Sequence, residues 1–156
     1  TRVGAGGMPT ELDNELANTI RERGQEFGTT TGRPRRVGYF DGVAARYAHR
    51  INGFTDIALT KVDTLADLGE LKIATSYTNK AGEPSDFQTE NRLLLDCTAN
   101  YETFDGWTSA ELEGVTDYDG LPDHLKAYSE TIMGTMPGAK LSFVGVGRSR
   151  DQLIRL

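Results

Sequence analysis

Three threonines and three arginines crowd into Gly28, Thr29, Thr30, Thr31, Gly32, Arg33, Pro34, Arg35 and Arg36. The threonines offer three hydroxyls, and the flanking Gly28 and Gly32 let backbone N–H groups come close to a ligand. Pro34 disfavours helix at Arg33, so Arg33 and Arg35 alternate along an extended segment. A guanidinium grips a carboxylate through two parallel hydrogen bonds, each such charged bond being worth about 1.5–3 kcal/mol net. A small, doubly negative substrate needs more than one such grip, and this loop supplies several. A solvated basic loop whose threonines cap a neighbouring turn accounts for the same residues.

A second segment, Thr60-Lys61-Val62-Asp63, follows a short apolar run at residues 57–59. A carboxylate here can accept both the N1–H and the exocyclic N2–H of guanine, a pair of donors that adenine lacks. The stem of Lys61 can lie along a base while its charge stays in water. The four residues resemble the Asn-Lys-x-Asp guanine motif of GTPases with Thr in place of Asn. A surface lysine and a turn-forming aspartate explain them as well. Gly145, Val146, Gly147 and Arg148 follow another apolar run and fit either the second side of a base site or a tight turn.

The remaining polar residues add little. His49 falls off the apolar stripe of its helix and is expected in solvent, and His124 falls in the first turn of a later helix. No His, Cys and carboxylate set has zinc-ligand spacing. Asp117 and Asp119 read as turn residues. The single cysteine, Cys97, excludes an internal disulfide, fits a reducing compartment, and beside Leu93, Leu94 and Leu95 is expected to be a buried structural thiol.

The elements that must carry these segments are legible in part. The 156 residues suit one domain or one large piece of a bigger one, with 37% hydrophobic residues and 18 glycines. A net charge of −6 argues against a nucleic-acid polymer as partner and makes the arginine cluster stand out. No apolar run reaches the length of a membrane span, and no targeting peptide is visible. The chain starts at Thr1 in a glycine-rich turn and stops at Leu156 in mid-pattern, as expected of a piece cut from something longer.

A first helix is expected from a cap at Thr10 or Asp13 to Gly24, with Leu12, Leu16 and Ile20 on its buried face. Residues 37–40 read as a strand. Asp41 should cap a helix to about Asn52, buried along Val43, Ala44, Tyr47, Ala48 and Ile51. Residues 57–59, 71–77 and 140–144 read as strands and 121–133 as a third helix. Residues 88–120 read as irregular, anchored by Trp107. In an α/β sheet, segments such as Thr60 to Asp63, just past a strand's C-terminal end, are where ligands gather.

In this order the motifs resemble adenylosuccinate synthetase, a family whose C-terminal part the chain matches almost throughout. The resemblance starts at Thr1 to Gly6 and Pro9 to Leu12. It runs through Glu26 to Arg36, Thr60 to Asp63 and Tyr101 to Thr103, and continues through Gly120 to Pro122 to Gly147 and Arg150. It implies an α/β fold with a central sheet like that of P-loop nucleotide hydrolases, flanked by helices, the phosphate-loop part lying N-terminal to residue 1. It implies GTP-dependent ligation of L-aspartate to IMP with Mg2+, whose ligands would lie outside this segment, in a cytoplasmic homodimer. Residues 1–156 would be the segment carrying the aspartate loop and the guanine motif.

The resemblance assigns aspartate binding to Thr29, Thr30, Thr31, Gly32, Arg33, Pro34 and Arg35, and IMP contacts to Val3 and Arg33. It assigns GTP contacts to Arg35, Lys61, Val62, Asp63, Gly145, Val146 and Gly147, and no catalytic or metal-binding residue to this segment. Two positions depart from the family pattern: Arg148 replaces a usual proline and Gly145 a frequent serine. Two further readings stand beside this one. One is a stand-alone nucleotide- or dicarboxylate-binding module without catalysis. The other is a related ligase acting on a 2-amino purine nucleotide.

Overall fold

The computed structural model describes all residues from Thr1 to Leu156. In chain order its elements are α1 (Glu15–Gly24), β1 (Phe40–Asp41), α2 (Gly42–Asn52), β2 (Asp56–Leu59), β3 (Glu70–Thr78), β4 (Pro84–Ser85) and α3 (Asn91–Leu95). There follow β5 (Thr98–Asp105), α4 (Ser109–Leu112), α5 (Asp123–Gly134), β6 (Lys140–Gly145) and β7 (Leu153–Arg155), and a 3-10 turn occupies Asp63–Leu65. The chain forms two compact units. One is Thr1–Tyr47 with Lys72–Glu102, the other Ala48–Leu71 with Thr103–Leu156.

The first unit is built around β3. It pairs in parallel with β1, antiparallel with β4, and also with β5. Val43, Ala74, Tyr77, Leu94 and Ala99 form its core, with Phe87 and Cys97 packed against them. Asp41 caps α2 as expected, accepting from the Ala44 N–H at 3.0 Å, and its other carboxylate oxygen accepts from the Tyr77 hydroxyl. Burial, followed by that bond to the Asp41 carboxylate, pushes the Tyr77 hydroxyl far above the ordinary tyrosine range.

Several local expectations change here. Asn14, not Thr10 or Asp13, caps α1, its side chain accepting from the Ala17 N–H at 3.1 Å. Leu12 lies before the helix and bonds to the Val37 carbonyl at 2.9 Å, so its four-residue spacing from Leu16 is not a helical face. The helix ends on Gln25 in the left-handed region at φ 53°, one residue past Gly24. Residues 36 and 38 make only single bridges to residues 2 and 11, leaving a two-residue strand at Phe40–Asp41. Cys97 is half-buried rather than buried, its thiol donating to the Leu93 carbonyl at 3.3 Å.

The second unit holds a three-stranded sheet in the order β2-β6-β7. β2 runs parallel to β6 with Leu59 opposite Val144, and β7 returns antiparallel. Helix α5 buries Leu125, Tyr128, Ser129 and Ile132. Trp107 is the anchor its size suggested: 1% exposed, it meets Tyr128 edge-on at 5.5 Å. The stretch expected to be irregular instead contains α3, β5 and α4. Ile51, placed on the buried stripe of α2, is 64% exposed. His49 is not simply solvated, since its Nε2 lies 3.1 Å from the Pro137 carbonyl and its ring faces Phe54.

Candidate functional site

Two constellations emerge, one in each unit. In the first, Phe27 bridges Pro34 and the Arg35 N–H donates to the Glu26 carbonyl at 2.9 Å, closing an antiparallel pair. At its tip the Gly28 N–H donates to the Arg33 carbonyl and the Gly32 N–H to the Gly28 carbonyl, both at 2.8 Å. Gly32 sits at φ +64°, which a side chain would strain. These bonds hold the loop from inside and leave Thr29, Thr30, Thr31, Arg33 and Pro34 exposed. The Thr31 hydroxyl is tied weakly inward, accepting from the Arg33 N–H at 3.4 Å.

The three arginines divide. Arg36 grips Glu11 through two nitrogens at 2.7 and 2.5 Å and donates to the Gly6 carbonyl at 2.7 Å. It is spent on the fold, and its hydrogen bonds hold the Glu11 carboxyl below the usual range. Arg35 is half spent. Its Nη1 pairs with the buried Glu26 carboxylate at 2.9 Å, its carbonyl accepts from Arg21 Nε at 2.9 Å, and its own Nε is buried without a partner. Arg33 makes no ion pair and presents its guanidinium to solvent. Val3 lies one residue beyond the Arg2·Arg36 bridge and is 80% exposed, an apolar side chain held outward on a fixed backbone.

In the second unit the parallel register of β2 and β6 brings their C-terminal ends side by side. The turns that follow are welded together: the Val62 N–H donates to the Gly145 carbonyl at 3.2 Å, and a Cβ on Gly145 would lie 3.6 Å from the Thr60 Cα. Lys61 turns the chain at φ 63° and stays exposed. Val62 is 1% exposed, and its carbonyl accepts from Trp107 Nε1 at 2.8 Å. Asp63 opens the 3-10 turn half-buried, and its carboxylate accepts no hydrogen bond from the protein.

A hollow of about 620 Å³ opens beside it, lined by Asp63, the α4 segment, Val146, Gly147, Arg148 and Gln152. That volume accommodates a purine. Asp63, Val146 and Gly147 are therefore in its wall. Lys61, Val62 and Gly145 are not, and the latter two brace the residues that are. Sequence reasoning missed the α4 wall and Gln152. The Thr108-x-x-Glu111 pattern was the available signal for α4. It forms a full capping box, with Glu111 accepting from the Thr108 N–H and hydroxyl at 2.8 Å. Those two bonds from Thr108 hold the Glu111 carboxyl below its usual range.

No group of three His, Cys, Asp or Glu side chains is arranged to hold a metal ion, and no helix is long and apolar enough to cross a membrane.

Comparison with known proteins gives one consistent result. The family model described as adenylosuccinate synthetase matches residues 1–154. The adenylosuccinate synthetase of Caldicellulosiruptor saccharolyticus is 46% identical over 155 residues, and that of Acetivibrio thermocellus 43% over 154. In each case 99% of this chain is covered but only 36% of the relative. Among solved structures, that of a fully ligated adenylosuccinate synthetase from Plasmodium falciparum superposes with a TM-score of 0.92 at 34% identity. It covers 99% of this chain and 37% of that one.

Proposed function

The chain belongs to the adenylosuccinate synthetase family, and from that premise we propose that it supplies the aspartate and guanine subsites of a GTP-dependent IMP–aspartate ligase. The reaction would move the γ-phosphoryl group of GTP to the 6-oxygen of IMP. The aspartate amine would then bond to C6 as the C6–O bond breaks, releasing phosphate and GDP and leaving adenylosuccinate. The chain spans 36% of the length of its relatives, and the proposal assigns the phosphoryl-transfer groups and the ligands of magnesium to the part of the complete protein outside these residues. A cytoplasmic homodimer completes the proposal.

The work left to this chain is positioning. Arg33 and the hydroxyls of Thr29, Thr30 and Thr31 clamp the two carboxylates of aspartate so that its amine faces C6, a proximity and charge effect. Gly32 and Pro34 shape the loop tip. Arg35, anchored by Glu26, offers its remaining nitrogen toward substrate phosphate or carboxylate. Val3 and Arg33 border IMP. Asp63 takes the N1–H and N2–H of guanine, Lys61 lies along the base with Val62 bracing the turn behind it, and Gly145, Val146 and Gly147 close over it.

The observation that carries this reading is the hollow at the paired ends of β2 and β6, with an unpaired carboxylate in its wall. The test is product formation. The complete protein should convert IMP, aspartate and GTP to adenylosuccinate, and the 156 residues alone should not. GTP binding by the complete protein without turnover would instead favour a binding module. Turnover with dGMP in place of IMP would favour a 2-amino purine ligase.

A further inference from the structure

Gln152 closes the same hollow, and its amide is held in one orientation. The Ser149 N–H donates to Gln152 Oε1 at 3.0 Å, which fixes Oε1 toward that backbone donor and leaves Nε2 as the free end. The backbone around it is clamped too: the Gln152 N–H donates to the Ser149 carbonyl at 3.0 Å and the Val146 N–H to the Gln152 carbonyl at 2.9 Å. The amide lies flat across Gly147. A Cβ at that position would stand 2.3 Å from Cδ and Oε1 and 2.5 Å from Nε2, so only glycine admits this packing. Nε2 donates to no protein acceptor, and both Gln152 and Gly147 line the hollow that holds Asp63.

We infer that Gln152 is a specificity-determining residue that donates from Nε2 to the 6-oxygen of the bound guanine. The inference rests on the guanine reading of this hollow. It divides the base edge between two side chains. Asp63 accepts from N1–H and N2–H, and Gln152 donates to O6. Adenine carries an amino donor at C6 and lacks the N1 proton, so both side chains would face a group of their own kind. The packing against Gly147 matters because a donor that need not be ordered on binding discriminates more sharply than a mobile one.

The test uses the complete enzyme. The variant Gln152→Glu keeps an oxygen for the Ser149 N–H, replaces the free donor by an acceptor and adds a negative charge. The 6-thio-GTP comparison below, in which the charge is common to both nucleotides, therefore isolates the contact to O6. It should raise the KM for GTP by about tenfold or more, with the KM values for IMP and aspartate within about twofold of wild type. 6-Thio-GTP keeps N1–H and N2–H and exchanges only the oxygen for a weakly accepting sulfur. Wild type should use it several times less well than GTP, and Gln152→Glu should narrow that gap. Equal use of GTP and 6-thio-GTP by wild type overturns the inference, as does a variant that raises the KM values for GTP and 6-thio-GTP by the same factor or raises neither. Inosine triphosphate, which lacks N2–H, separates the two levels. A wild-type preference for GTP over inosine triphosphate supports the Asp63 contact whatever Gln152 does, and its absence removes the guanine reading itself.

Discussion

Arg33, Arg35 and Arg36 show how neighbouring residues of one type acquire different work. Arg36 and Glu11 form a two-pronged pair that ties residues 2–11 to the extended segment at residues 36–38. Because Arg36 holds the Glu11 carboxyl below its usual 4.5, the folded state binds that proton less readily than the unfolded chain. The stabilisation is therefore complete above about pH 4.5 and is lost as pH falls through the lowered folded value. Amide-exchange protection of Arg2 and Arg36, corrected for intrinsic rates, should drop as the complete protein is acidified below pH 4.5. In Glu11→Gln it should be nearly flat. Parallel pH profiles would show that the pair does not hold this segment.

At the same scale the sequence presented residues 60–63 as one reading unit. Lys61 stays exposed and Asp63 lines the hollow, but Val62 is a buried brace whose carbonyl accepts from Trp107. Nothing local to Val62 reveals that, because its partner lies 45 residues along the chain. The Glu26–Arg35 pair was illegible for a related reason: an acidic residue nine positions away becomes a buried anchor only once the loop has turned.

Among the elements, α4 matters most for the hollow, and its position depends on a backbone crossing. A Cβ on Gly106 would lie 1.9 Å from the Gly69 carbonyl oxygen, a rigid neighbour with no rotamer to yield. The next residues seat Trp107 and start α4, and Asp67 accepts from the Ser109 N–H at 3.1 Å. Gly106→Ala should cost about 3 kcal/mol or more, the upper range for forced overpacking. Thr108→Ala, which removes only the cap, should cost about 1 kcal/mol. Denaturation midpoints rank the two, and a Gly106→Ala protein as stable as wild type would contradict the crossing.

Sequence patterning found the elements with a strong apolar signal, namely α2, α5, β2, β3 and β6. It missed β5, where Ala99 is the only fully buried side chain of eight, so alternation is hidden in a mostly polar strand. Strand β7 is three residues long with one buried side chain, too short to leave a period. Leu12 misled because spacing alone cannot distinguish a helical face from an extended bridge that precedes the helix.

At the scale of the whole molecule, the proposed function gives the two units different recognition tasks. The exposed threonine–arginine tip belongs to one, and the hollow of about 620 Å³ to the other. The family was legible because several weak motifs occur in a fixed order, whereas the rest of the hollow's wall beyond Asp63, Val146 and Gly147 was not, because Ser109, Glu113 and Gln152 reach it only through the fold. The division of labour predicts separable defects. In the complete enzyme, steady-state kinetics of Arg33→Leu and Asp63→Asn measure it directly. Arg33→Leu should raise the KM for aspartate by about tenfold or more and leave that for GTP nearly unchanged. Asp63→Asn should do the reverse and reduce discrimination against other nucleoside triphosphates by about a hundredfold. If both variants raise the same KM, or Arg33→Leu selectively impairs GTP, the assignment of an aspartate subsite and a guanine subsite to this chain is wrong.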